Sequence, residues 1–323
     1  MNVRQFAHGC EVAQALLVRD AELKRRRDGR EFLKLLLGDR TGSVVGVMRE
    51  EIDAARSVCG VGEVVFVSGR YREDARFGPQ VEIDAVRLAR EGEYARDALI
   101  DGPARAADQM EADLRELIAT VRNPNLRRLL AAMFGEHSAI WASYRDAPAA
   151  KRYHQAYRHG LLEHSLTVAQ AVSGISATFP GIDRDIAVTG ALLHDIGKLD
   201  AYESRGGAIS MSDQGRLYGE ISLGYYMVRR AIERLEGFPP ELAQAVLHII
   251  LSHHGLLEHG SPVVPCTREA TLVHMIDNLG GRLGSFDRLE KELPDGQQWS
   301  AYDRALGVGA YFARPPQAQR EAA

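Results

Sequence analysis

A small all-β barrel followed by an all-α helical bundle is the architecture this sequence predicts, and three observations predict it. Residues 12 to 90 read as short runs rich in Val, Leu and Ile, separated by Gly- and Asp-containing turns. From about residue 91 the apolar residues recur at three- and four-residue spacing instead, the period of a helix face. At 323 residues the chain also exceeds the usual single domain, so the change of period is read as a domain boundary. The expected division is a barrel over residues 1–90, linker or interdomain helices over 91–150, a helical domain over 151–312 and a disordered tail over 313–323.

The barrel elements follow in order. Residues 15 to 23 form the first strand, ended by the hairpin signal Asp28-Gly29. Residues 32 to 37 form the second, which stops at Gly38-Asp39, and Thr41-Gly42 turns the chain into a third over 43 to 48. Residues 50 to 59 have helical composition, and residues 64 to 72 and 81 to 88 complete five strands. Three strands, a helix and two strands is the element order of an OB-fold, a five-stranded, partly open barrel. Ligands of that fold meet its first hairpin and its last, so Arg25, Arg27 and Arg30 on one loop and Arg76 and Phe77 on the other are the candidate phosphate and base contacts. Phe32 and Tyr71 on the sheet are candidate stacking platforms for single-stranded bases, although Phe32 also suits the core. Residues 1–90 hold 16 Lys and Arg against 14 Asp and Glu, a net +2, so the basic hairpin is a local patch in a balanced domain.

The helical half is equally regular. Leu114, Leu117, Ile118 and Val121 form one apolar stripe, and Leu126, Leu129, Leu130, Met133 and Phe134 a second beyond Asn123-Pro124. A helix from about Gly160 carries Leu162, Leu166 and Ala169 beside His164, and another opens after Pro180-Gly181. After Ser212-Asp213 a long stripe is expected through Leu217, Ile221, Gly224, Val228, Ile232 and Leu235, with Glu220 beside it. Pro239-Pro240 starts the next helix where proline is best tolerated, and His253-His254 end it.

Composition narrows the function. A formal charge of −4 excludes a broadly basic nucleic-acid binder, so a nucleic-acid partner must be met by a local patch. Cys10, Cys59 and Cys266 are scattered and odd in number, which excludes a thiolate zinc site and points to a reducing compartment. No apolar run reaches the ~20 residues of a membrane span, and the first residues lack a signal-peptide core, so a cytoplasmic location is expected.

The chemistry centres on His194-Asp195-Ile196-Gly197-Lys198, at the end of a helix whose one face holds Ile186, Gly190, Leu193 and His194, with Gly197 as the expected C-cap. An imidazole beside a carboxylate makes a poor core and a good pair of metal ligands. One such pair is more often a satisfied capping pair. Here His164, His253, His254 and Asp277 accompany it from three other helices. Asp277 shares a face with Ala270, Val273, Gly281 and Gly284, where an ionised carboxylate is costly unless paired or metal-bound.

The order His164, His194-Asp195, His253-His254, Asp277 resembles that of the HD-domain metal-dependent phosphohydrolases. The wording GLLEHS, LLHDIGKL, LSHHG and HMIDNLG resembles one branch of them, the YhaM-type 3'→5' exoribonucleases, which also carry an N-terminal OB-fold. The resemblance runs from about residue 12 to residue 310. It implies Mn²⁺-dependent release of 5'-mononucleotides from the 3' ends of single-stranded RNA, with single-stranded DNA as the nearest rival substrate. On this reading His164, His194, Asp195 and Asp277 hold one ion, and Glu220, His253 and His254 a second, with Asp195 bridging. Glu220 stands where the family has histidine, so it is either a hard-ion ligand or a surface carboxylate.

Mixed nitrogen and oxygen donors favour two Mn²⁺ ions, then Mg²⁺, Co²⁺ or Fe²⁺. Lys198 would meet a non-bridging phosphate oxygen, its alternative being a solvated helix-end lysine. His154 and His159 are candidates for phosphate contact or proton delivery. The family pattern differs at both places, with Gln155 where a second histidine is common and His159 where a glycine is. Two other classes stay open: a phosphodiesterase of small or cyclic nucleotides, and a catalytically weakened RNA-binding regulatory module. Homo-oligomerisation is not legible in the sequence.

Overall fold

The computed structural model describes the chain except residues 27, 75–77, 100, 101, 104, 151–154, 206, 207, 294, 295 and 314–323. Arg27, Arg76, Phe77, His154 and all of the expected tail beyond residue 313 therefore lie outside the described residues.

Five strands build the N-terminal part: β1 (Glu11–Arg25), β2 (Glu31–Asp39), β3 (Gly42–Met48), β4 (Val64–Asp74) and β5 (Gly78–Leu88), with α1 (Ile52–Val58) between β3 and β4. They close in the order β1-β2-β3-β5-β4, with β1 returning to β4 and β3 running parallel to β5. This is the OB-fold order, and the barrel is closed where the sequence suggested a partly open one. Alternation drives it. Leu33, Leu35 and Leu37 of β2 point inward to meet Leu16, Val18, Val65, Val67 and Val81, while Phe32 stays half-exposed outside the core. Ala55 and Cys59, at and just beyond α1, are buried in the same core. The β2–β3 turn is held by Asp39, whose carboxylate accepts the Thr41 and Gly42 N–H groups on one oxygen and the Val3 N–H on the other.

The rest is helical: α2 (Arg96–Leu99), α3 (Ala107–Ala119), α4 (Pro124–Phe134), α5 (Trp141–Asp146), α6 (Gly160–Ser176), α7 (Arg184–Leu193), α8 (Lys198–Ala201), α9 (Asp213–Glu233), α10 (Pro240–Ser252) and α11 (Arg268–Glu292). Caps fall where short polar residues permit them. Asn123, Asp183, Ser212 and Thr267 each accept first-turn N–H groups through the side chain, and Pro240 occupies the first turn of α10. The stripes of α3 and α4, expected on linker or interdomain helices, pack into one core with α6, α7, α9, α10 and α11.

Two hairpins escaped the sequence reading: β6 (Tyr202–Arg205) with β7 (Ala208–Met211), and β8 (Trp299–Asp303) with β9 (Val308–Tyr311). The expected stripe of α9 is also interrupted. Gly219 sits at φ 73°, ψ 152°, which kinks the helix and leaves Leu217 75% exposed, while Ile221, Gly224, Val228 and Ile232 stay on the core side. Among the described residues no helix is long and apolar enough to cross a membrane.

Candidate metal centre

Four helix ends or faces converge on one point. His164 comes from the second turn of α6, His194-Asp195 from the turn that ends α7, His253-His254 from the end of α10, and Asp277 from the middle of α11. Gly197 has ordinary right-handed dihedrals, φ −68° and ψ −13°, so it is no left-handed C-cap as expected; His194 takes the cap position of α7. The glycine is needed for a close approach instead. A β-carbon there would lie 1.9 Å from the Glu220 carbonyl oxygen and 2.4 Å from the Gly224 nitrogen. The His194–Lys198 turn is thereby pressed against α9.

The ligand atoms meet closely. The Nε2 of His164 lies 3.1 Å from the Nε2 of His194, 3.1 Å from Oδ2 of Asp195 and 3.1 Å from Oδ1 of Asp277. His194 Nε2 is 3.3 Å from Asp195 Oδ2 and 3.8 Å from Asp277 Oδ1. The other oxygen of Asp195, Oδ1, lies 3.5 Å from Nε2 of His253. Beyond it the rings of His253 and His254 are 4.4 Å apart, and His254 Nε2 is 3.8 Å from Glu220 Oε1. Asp195 thus shows one oxygen to each of two groups of donors.

The tautomers are arranged for ligation. Nδ1 of His194 lies 2.7 Å from the Ala191 carbonyl, Nδ1 of His253 2.7 Å from that of Ile250, and Nδ1 of His254 3.0 Å from that of His259. A carbonyl oxygen can only accept, so Nδ1 carries the hydrogen in each ring. The Nε2 lone pair is left for the cluster.

Charge follows the geometry. In the metal-free protein burial pulls the His164 imidazole toward its neutral form, but hydrogen bonds to Asp195 and Asp277 outweigh it and lift its pKa to about 9. Burial also works against ionisation of Asp195 and Asp277. Lys198 and His194 beside Asp195, and His164 and His194 beside Asp277, nevertheless hold both carboxyls below the ordinary carboxylate range. The Lys198 ammonium sits 2.6 Å from Asp195 Oδ2, and that carboxylate raises its pKa against the effect of burial.

The donor set fits divalent ions. His164, His194 and Asp277 each offer a ligand atom within 4.8 Å of the others. Asp195 Oδ1 and His253 Nε2 are buried polar atoms with no hydrogen-bond partner among the described residues, an arrangement that is costly without a cation between acceptors. Neutral imidazoles with carboxylates suit Mn²⁺, Mg²⁺, Fe²⁺ or Co²⁺, and sulfur-rich structural zinc is not matched.

Other expected residues fall elsewhere. His159 is the residue before α6 at φ 70°, and its Nδ1 lies 2.7 Å from the Arg145 carbonyl and 3.4 Å from Asp146 Oδ1. It holds the α5–α6 junction by these contacts. On the barrel, Arg25 pairs with Glu31 at 3.0 Å, Arg30 is exposed, and Phe32 lies under the Arg26 guanidinium, 5.9 Å from its ring centre. Tyr71 packs against the barrel core, with the Phe6 ring 5.7 Å away, so part of its ring is covered. Gln155 enters the site unforeseen, its Oε1 3.0 Å from His164 Nδ1. The only hint in the sequence was its departure from the family pattern.

Known proteins match at both levels. The HD domain family matches residues 161–281, the span that contains His164, His194, Asp195, Glu220, His253, His254 and Asp277. The 3'-5' exoribonuclease YhaM of Geobacillus sp. (strain WCH70) is 31% identical over 289 residues, covering 88% of this chain and 87% of that protein. The solution NMR structure of the second OB-fold domain of replication protein A from Methanococcus maripaludis aligns with 28% of this chain and 96% of that one, at 21% identity and a TM-score of 0.23. At that score the barrel's assignment rests on its own strand order.

Proposed function

This chain belongs to the YhaM 3'-5' exoribonuclease family and is a metal-dependent hydrolase, and from that premise we propose that it removes 5'-mononucleotides from the 3' ends of single-stranded RNA with two Mn²⁺ ions. The observation that carries the proposal is the split of Asp195 between two donor groups. Oδ2 meets His164 and His194, near Asp277, and Oδ1 meets His253. His164, His194, Asp195 and Asp277 would hold one ion, and Asp195, His253, His254 and Glu220 the other. When bound, divalent ions supply Lewis-acid activation of water and neutralise charge on the scissile phosphate.

The chain's own residues set the conditions for that chemistry. The carbonyl anchors hold the Nδ1–H of His194, His253 and His254, so that Nε2 is the ring nitrogen each turns to the cluster. Lys198 offsets part of the negative charge on Asp195, and a phosphate that draws its ammonium away would gain a cation on a non-bridging oxygen. Burial of Asp195 and His253 keeps bulk water from competing for the ligand atoms. The exposed Arg25 and Arg30 and the half-exposed Phe32 support a role for the barrel in gripping the strand, by phosphate contact and base stacking.

End-labelled single-stranded RNA and DNA incubated with Mn²⁺, with products resolved by length, test the reading. A ladder shortening from the RNA 3' end is expected. Asp195→Ala should slow it beyond the roughly 10²–10³-fold loss seen when a single transition-state donor is removed. Intact RNA alongside hydrolysed cyclic or small nucleotides would reject the exoribonuclease in favour of a small-molecule phosphodiesterase. Preferential shortening of DNA would reassign the substrate.

A further inference from the structure

We infer that Gln155 is a positioning residue that fixes the tautomer of His164, through a relay that begins at Glu163 and Tyr157. The inference rests on His164 being a metal ligand.

Of the four histidines at the centre, three anchor Nδ1 on a backbone carbonyl, whereas Nδ1 of His164 meets the side chain of Gln155. The direction of that contact follows from chemistry. The Glu163 carboxylate only accepts, and Tyr157 donates its hydroxyl to Oε2 of that group. Oε2 also lies 3.4 Å from the Gln155 side-chain nitrogen, so the NH₂ end of the amide must face Glu163. The carbonyl end, Oε1, then faces His164 Nδ1 at 3.0 Å and can only accept. Nδ1 is thereby made the N–H, and Nε2 is left to the 3.1 Å cluster with His194, Asp195 and Asp277.

The backbone is bent to place this amide. Gln155 sits at φ 60°, a conformation costly for a residue with a β-carbon, and its carbonyl accepts the Ala149 N–H at 3.1 Å. Strain of this kind persists where the surroundings over-determine it. Here it folds the loop back over the start of α6, so that Gln155 reaches a ring nine residues ahead. A neutral amide, unlike a carboxylate in the same place, orients the ring while adding no charge to a site already holding Asp195 and Asp277.

Mn²⁺ dissociation constants, measured on the full chain by the EPR signal of free Mn²⁺, test the inference alongside metal-free melting temperatures. Gln155→Leu should weaken the affected Mn²⁺ site by about 10–100-fold, the usual effect of losing such an orienting partner. Its metal-free melting temperature should stay near that of the parent. Gln155→Glu keeps an acceptor at Nδ1 but sets a second carboxylate against Glu163, so it should lose less affinity than Gln155→Leu without regaining the parental value. Unchanged affinity in Gln155→Leu, or equal losses in both variants, overturns the inference. Should Gln155→Leu fail to fold, Glu163→Leu, which removes the acceptor that Tyr157 and the Gln155 NH₂ share, carries the test. Weakening of Mn²⁺ binding by several-fold supports the relay, and parental affinity overturns it. His164→Ala separates the two readings: if it binds Mn²⁺ like the parent, the metal assignment itself is wrong, whereas loss there with full binding in Gln155→Leu sinks only the positioning role.

Discussion

His164 joins a proton and a metal in one competition. Its pKa in the metal-free fold is lifted to about 9 from an ordinary 6.5, because Asp195 and Asp277 bond its charged form. A group raised in this way contributes stability that is fully present below about pH 6.5 and is lost as pH rises through about 9. The two aspartates, depressed in the fold, contribute stability above their unfolded values that is lost only in acid. Between pH 6.5 and 9 the histidine therefore dominates this cluster. The metal-free protein should melt at a lower temperature at pH 9.5 than at pH 6.5, while Mn²⁺ affinity rises over the same interval as the competing proton leaves. Thermal melts with and without chelator at the two pH values check both directions; a metal-free protein more stable at pH 9.5 would contradict the charge assignment.

At the scale of elements, two glycines of the same neighbourhood do different work. Gly197 has ordinary dihedrals but no room, with a β-carbon falling 1.9 Å from a backbone oxygen of α9. Gly219 has open space but a left-handed φ of 73° at the kink that precedes Glu220. Gly219→Ala should therefore cost about 1–3 kcal/mol of stability, from backbone strain alone. Gly197→Ala should cost more, about 3 kcal/mol or above, because backbone cannot yield as a side-chain tip can. Denaturant titration of both variants ranks them, and the reverse order would show that the turn is not wedged against α9.

Those same elements show what sequence could reveal. The five strands and the apolar faces of α6 and α7 were legible, because period-two and period-3.6 burial are written directly in residue type. His164, His194, Asp195, His253 and Asp277 were legible as polar groups placed where a core should be. Leu217 misled because a kink needing one positive φ rotates the residues before it, and apolar spacing does not register that rotation. Gln155 stayed hidden because its partner is met only after the loop doubles back, and the hairpin β6–β7 because four-residue strands barely express a period.

The molecule as a whole has two large separate cores. One fills the closed barrel around Leu16, Leu35 and Val67; the other runs through the helices from Met110 to Ile276 and encloses the metal centre's supports. A ligand stabilises only the unit whose folded form binds it. Differential scanning calorimetry should then resolve two heat-absorption peaks, and adding Mn²⁺ should move one of them upward while the other keeps its temperature. A single peak moving as a unit would show that barrel and bundle melt as one cooperative body. With two peaks, and with the barrel gripping the strand as proposed, warming would either silence hydrolysis while a strand is still held or free the strand from a centre still able to cut; which loss comes first would set how the protein fails when its surroundings heat up.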